Sequence, residues 1–129
     1  MNTYNIEIEI FKGKGGSLLK KGDEIIYPDL AKEGICAWMY RGDGKNSYQQ
    51  GKRFRYPEDL GNLCPWLIDS INSAIRVLNF GGTLPWKYEN TPYAKEIDPT
   101  GVTTEFIRCV DPTDSGIVVK IIRTPRASA

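Results

Sequence analysis

The chain has 129 residues, with 17 Lys and Arg against 16 Asp and Glu, a net charge of +1 and no histidine. That length is one domain with one core, and the balanced charge supplies no field that draws nucleic acid or an anionic membrane. Without histidine there are no His-based triads, two-His metal sites or imidazole pH switches, so acid–base chemistry falls to Asp, Glu, Cys, Tyr or Lys.

The first residues, Met1 to Asn5, lack the basic start and apolar run of a signal peptide. No stretch approaches the ~20 apolar residues of a membrane span. A cytoplasmic protein is expected. Isoleucine is the commonest apolar residue, with 14 copies against 8 Leu and 6 Ala, which favours strands over helices. From Tyr4 to Phe11, Ile6, Ile8 and Ile10 alternate with Glu7 and Glu9, the period of a strand with one wet face. Gly13 to Gly16 breaks it. Asp23–Tyr27 and Lys52–Tyr56 read as short strands, each stopped by a proline. Pro65–Phe80 reads as the main helix, with Leu67, Ile71, Ala74, Ile75 and Leu78 on one stripe. Pro65 suits the first helical position, Asp69 lies toward the positive end, and Gly81-Gly82 supplies a left-handed stop. Pro85 to Gly101 has three prolines and no sustained period, so it reads as a long ordered loop of the kind that carries function. Val102–Val110 and Ile117–Arg123 flank a turn-rich stretch and predict an antiparallel hairpin. The expected fold is α+β: an antiparallel sheet of about four to six strands with one main helix packed on one face.

A weak internal echo runs through the first half. Gly22, Tyr27-Pro28, Cys36 and Trp38 recur as Gly51, Tyr56-Pro57, Cys64 and Trp66. It marks a strand–turn–Cys-x-Trp unit over 21–38 and 50–66 or a coincidence of turn residues. Cys36, Cys64 and Cys109 are an odd, widely spaced set, unlike a disulfide scaffold or a zinc knuckle. Three thiols closed by an aspartate stay open as a minor alternative, but no metal or cofactor is expected.

Cys64-Pro65-Trp66 is the most informative triplet. With Pro65 at the first helical position, Cys64 is the N-cap, and its sulfur faces the positive end of the helix, where a thiolate is favoured. The competing role is simple packing, the usual one for a buried thiol. Asp69 is either an acid within reach of a pocket at that end or a solvated first-turn acid that stabilises the dipole. Arg53 and Arg55 share one strand face and could clamp a carboxylate or phosphate, or lie solvated there.

Cys64-Pro65-Trp66-x-x-Asp69, Phe80-Gly81-Gly82-x-x-Pro85-Trp86 and Cys109-x-Asp111-Pro112 ahead of a Val/Ile strand resemble a family of small uncharacterised proteins. Its hallmarks are a Cys-Pro-Trp helix start, a Phe-Gly-Gly-x-x-Pro-Trp corner and Cys-Pro-Asp before the last strand. The likeness covers about Gly51 to Arg123. Leu67-Ile68 stands where members often carry Ala-Trp, Val110 replaces a proline, and the stretch from Cys36 to Tyr48 is additional. The resemblance implies a fold unit and picks out Cys64, Trp66, Asp69, Trp86, Cys109 and Asp111, but no reaction.

Two functions are therefore expected in competition. In the first, a small-molecule pocket sits at the N-terminal end of the helix. Cys64, Asp69 and Asp111 would be its chemistry, and Trp66, Trp86, Cys109, Arg53 and Arg55 its binding residues. In the second, a non-catalytic accessory subunit docks through Trp38, Tyr40 and Tyr88. Self-association into a homo-oligomer is compatible with either, and neither involves nucleic acid or a membrane. If the hairpin enters near the helix N-terminus, Cys64 and Cys109 come together as a packed, redox or metal-binding pair, with packing favoured.

Overall fold

A computed structural model describes residues 4–13, 19–21, 24–26, 50–98, 100–110 and 117–126. The main sheet has four strands: β1 (Tyr4–Lys12), β4 (Arg53–Tyr56), β5 (Thr103–Arg108) and β6 (Val118–Pro125). All neighbours are antiparallel in the order β4-β1-β6-β5. β2 (Leu19–Lys21) and β3 (Glu24–Ile26) pair separately as a small antiparallel ribbon. One helix, α1 (Pro65–Asn79), follows a short 3-10 turn at Leu60–Asn62. Among the described residues the fold is α+β, one main helix on a four-stranded antiparallel sheet. The first copy of the internal echo, 21–38, lies mostly outside the described residues, Cys36 and Trp38 with it, and so do Tyr40 and Asp111.

The pairing register decides which side chains share a face. Ile8 stands opposite Phe54 and Ile121, and Ile121 opposite Glu105. Ile10 stands opposite Val119, and Ile6 opposite Tyr56 and Arg123. Ile6, Ile8, Ile10, Phe54, Val119 and Ile121 join the buried stripe of α1, namely Leu67, Ile71, Ala74, Ile75 and Leu78, in one core. Burying a Leu or Ile side chain contributes ~1.5–3 kcal/mol, so these residues hold the helix to its face of the sheet.

The opposite face carries Glu7, Glu9, Arg53, Lys120, Phe106 and Arg108 by the same register. Arg53 meets Glu9 at 3.0 Å and Glu7 at 3.7 Å. Exposed pairs of this kind add at most ~1 kcal/mol.

Both ends of α1 are finished in ways its sequence dictates. Cys64 is the N-cap with extended backbone and no side-chain cap bond, and Pro65 opens the first turn. At the other end Gly81 takes φ +85°. Its N–H donates to Leu78 O and that of Gly82 to Val77 O, at 3.0 and 2.9 Å, a Schellman closure. A Cβ at Gly81 would also meet the Tyr4 hydroxyl at 3.2 Å. Beneath this end lies Arg123, only 1% exposed. Its Nη1 donates to the carbonyls of Leu78 and Gly82, both at 2.9 Å, and its Nη2 to Thr103 Oγ1 at 3.1 Å. The Tyr4 ring covers the guanidinium at 4.6 Å. No acid among the described residues balances this charge. The negative end of the helix dipole, the carbonyls and the π face take that part.

The chain from Thr83 to Gly101 is irregular, as its prolines require, yet it is fastened firmly. Lys95 and Glu105 form an ion pair whose side chains are each 2% exposed, with Nζ 2.9 Å from Oε2 and a closer contact to Oε1. Lys95 Nζ also donates to the Leu84 carbonyl, and Lys95 N–H donates to Lys87 O at 3.2 Å. Glu96 exchanges bonds with Thr104 along the outer edge of β5. The loop thereby covers a strand edge that would otherwise present unpaired groups.

Candidate functional site

The loop delivers Tyr88 and Tyr93 to the outer end of β5, on the sheet face away from α1. There Phe11, Tyr93 and Phe106 form a three-ring cluster. Phe11 and Phe106 meet edge-on with centroids 4.7 Å apart, and Tyr93 lies 5.9 Å from Phe11 and 5.8 Å from Phe106. Such tilted pairs add ~0.5–1.5 kcal/mol beyond their buried area. Lys120 Nζ stands 5.9 Å from the Phe106 centroid. Beside the cluster opens a cavity of about 300 Å³ lined by Tyr88, Tyr93, Phe106, Arg108 and Val118.

Tyr88 is held against its preference. Its φ is +54°, in the left-handed region that L side chains avoid at a cost of ~1–2 kcal/mol. Thr91 Oγ1 donates to its carbonyl at 2.6 Å, fixing the turn, while the ring stays about half exposed. A backbone outlier of this type gathers at binding and catalytic sites because the surroundings must over-determine it.

The residues singled out from the sequence fall in several places. Cys64 and Cys109 are half-buried thiols packed against the main core. Ser70 links their surroundings: its Oγ donates to Trp66 O at 2.7 Å and accepts from Val110 N–H at 3.0 Å. The strand end at Cys109 is thus tied to the opening turns of α1, the neighbourhood expected for it. Asp69 is exposed on the second turn rather than the first. Trp66 and Trp86 are 53% and 60% exposed. Arg53 is occupied by Glu7 and Glu9, and Arg55 borders a separate concavity of about 280 Å³ with Glu7, Glu58 and Arg126. Among the described residues no group of three Cys, Asp or Glu is placed to hold a metal ion, and no helix is long and apolar enough to cross a membrane.

Replacing Ser70 with Ala should release the Val110 N–H and cost ~1 kcal/mol in urea unfolding, the net value of such a bond. A loss below a few tenths would mean that the strand end is held by other contacts.

Phe11, Tyr93, Phe106, Arg108, Lys120 and Val118 were not recognised as site residues in the sequence. The alternation Thr104, Phe106, Arg108 was a legible signal for one strand face, but the loop that folds Tyr88 and Tyr93 onto it has no period to read. Compared with known protein families, with curated proteins and with solved structures, the chain finds no match, so the site rests on its own residues.

Proposed function

We propose that this chain is a small-molecule-binding protein whose site is the cavity walled by Tyr88, Tyr93, Phe106, Arg108 and Val118. The observation that carries this reading is the strained Tyr88, held in place beside a ring cluster and a cation. Concave sites with aromatic walls and a few polar groups are what small ligands occupy.

Thermal-shift screening against a metabolite panel tests it. A ligand at 100 times its dissociation constant adds about 2.7 kcal/mol. Phe106→Ala and Tyr88→Gly should each abolish the shift. Tyr88→Gly should leave the unliganded protein within about 1 kcal/mol of its original stability, because glycine accepts a positive φ without strain. Shifts that survive both substitutions would contradict this site.

The site first expected, at the N-terminal end of α1, draws on Cys64, Trp66 and Cys109, which the Ser70 bonds hold in one neighbourhood. The packing of both thiols against the core favours a structural role for them. The accessory-subunit reading draws on Trp38, Tyr40 and Tyr88; the first two lie outside the described residues, and the half-exposed Tyr88 lines the cavity. Reduced cysteines fit a cytoplasmic setting.

A further inference from the structure

We infer that the ligand of this cavity is a planar aromatic anion, a ring system carrying a carboxylate or a phosphate. The inference rests on the cavity being a ligand site and narrows what enters it. Rings alone would equally suit a quaternary ammonium ion, the usual occupant of an aromatic cage. The charges decide against that. Lys120 already holds a cation 5.9 Å from the Phe106 ring, Arg108 lines the cavity, and none of the described lining residues is acidic. A cationic ligand would meet the like charge of Arg108, whereas an anion finds there a guanidinium able to take it by two parallel bonds. Tyr88, Tyr93 and Phe106 offer ring edges and faces to a planar group, and the two tyrosines bring hydroxyl donors as well. A volume of about 300 Å³ is at the small end of ligand sites, enough for one ring system with a single anionic group. The second concavity offers no such selection: Arg55 and Arg126 there face Glu7 and Glu58.

The experiment is calorimetric titration of the full chain at fixed ionic strength with paired probes. These are adenosine 5′-monophosphate against adenosine, and 1-naphthoate against 1-naphthamide. At least one anion should bind about tenfold or more tightly than its neutral partner. Which pair shows the preference tells a phosphate from a carboxylate. Arg108→Gln, a change at an exposed position, should remove that advantage by weakening the anion about tenfold more than its neutral partner, while Tyr88→Gly should weaken both members of the pair. Equal binding of the two members, unaffected by Arg108→Gln, would overturn the anion assignment and leave the cavity standing as a ligand site. Binding of no ring compound would instead overturn the site itself. Tight, salt-dependent binding of single-stranded (dT)12 with none of the small probes would overturn the assignment in favour of a nucleic-acid surface.

Discussion

Glu105→Gln is expected to cost about 3–5 kcal/mol, because it leaves the Lys95 ammonium buried without its counter-charge. Both side chains are 2% exposed, so water cannot replace the lost partner without opening the loop. For a domain whose total stability is of the order of 5–15 kcal/mol, that is a large fraction. Lys95→Met should be costly too, since it strands the carboxylate and frees the Leu84 carbonyl. The double replacement, Lys95→Met with Glu105→Leu, should recover most of the loss, as apolar side chains of similar size often substitute for a buried pair. Urea denaturation of the four proteins gives the coupling directly. Single variants within 1 kcal/mol of the original would mean that the pair is solvated. The pair also has a functional reach. It fastens the two ends of the segment that presents Tyr88 and Tyr93, so Glu105→Gln should expose that segment to proteolysis before the sheet unfolds.

Arg123→Ala should be of similar size, about 3–4 kcal/mol. It removes the guanidinium that bonds the Leu78 and Gly82 carbonyls at the end of α1; Leu78 O keeps the Gly81 N–H, while Gly82 O loses its donor. A buried acceptor left without a donor costs ~1–3 kcal/mol, and the vacated volume adds a cavity term. Arg123→Lys keeps the charge favoured by the helix end but not the planar fork, so it should recover only part of the loss. The check is equilibrium unfolding with an unchanged m-value. A fully stable alanine variant would show that the Schellman turn closes the helix without help.

These two residues show where reading the chain from its sequence reaches its limit. The periodicities of Tyr4–Phe11 and Pro65–Phe80 were plain, and the structure has a strand and a helix there, with α1 burying Leu67, Ile71, Ala74, Ile75 and Leu78. The antiparallel C-terminal hairpin also follows from its flanking runs, although β6 continues to Pro125. Alternation, however, tells only that residues share a face. Glu105 and Arg123 occupy core-facing positions that a hydrophobic pattern would assign to apolar side chains, and each is tolerated only because a distant partner meets it. Lys95, Leu78, Gly82 and Thr103 supply those partners, and no local pattern names them. The strand order was hidden for the same reason, since the first and last strands of the chain are neighbours at the centre of the sheet. The cavity depends on the loop's path, which is set by the Lys95–Glu105 pair and by a tyrosine at positive φ. Pro85–Gly101 could be identified as an ordered loop, but not where it would lay its two tyrosines.

The most direct measurement is two-dimensional amide NMR of the full chain titrated with 1-naphthoate and adenosine 5′-monophosphate. Shifts should concentrate at Tyr88, Tyr93, Phe106, Arg108 and Val118, on the sheet face away from α1. Shifts gathered instead at Cys64, Trp66, Asp69 and Cys109 would contradict that site and place the ligand at the opening turns of the helix.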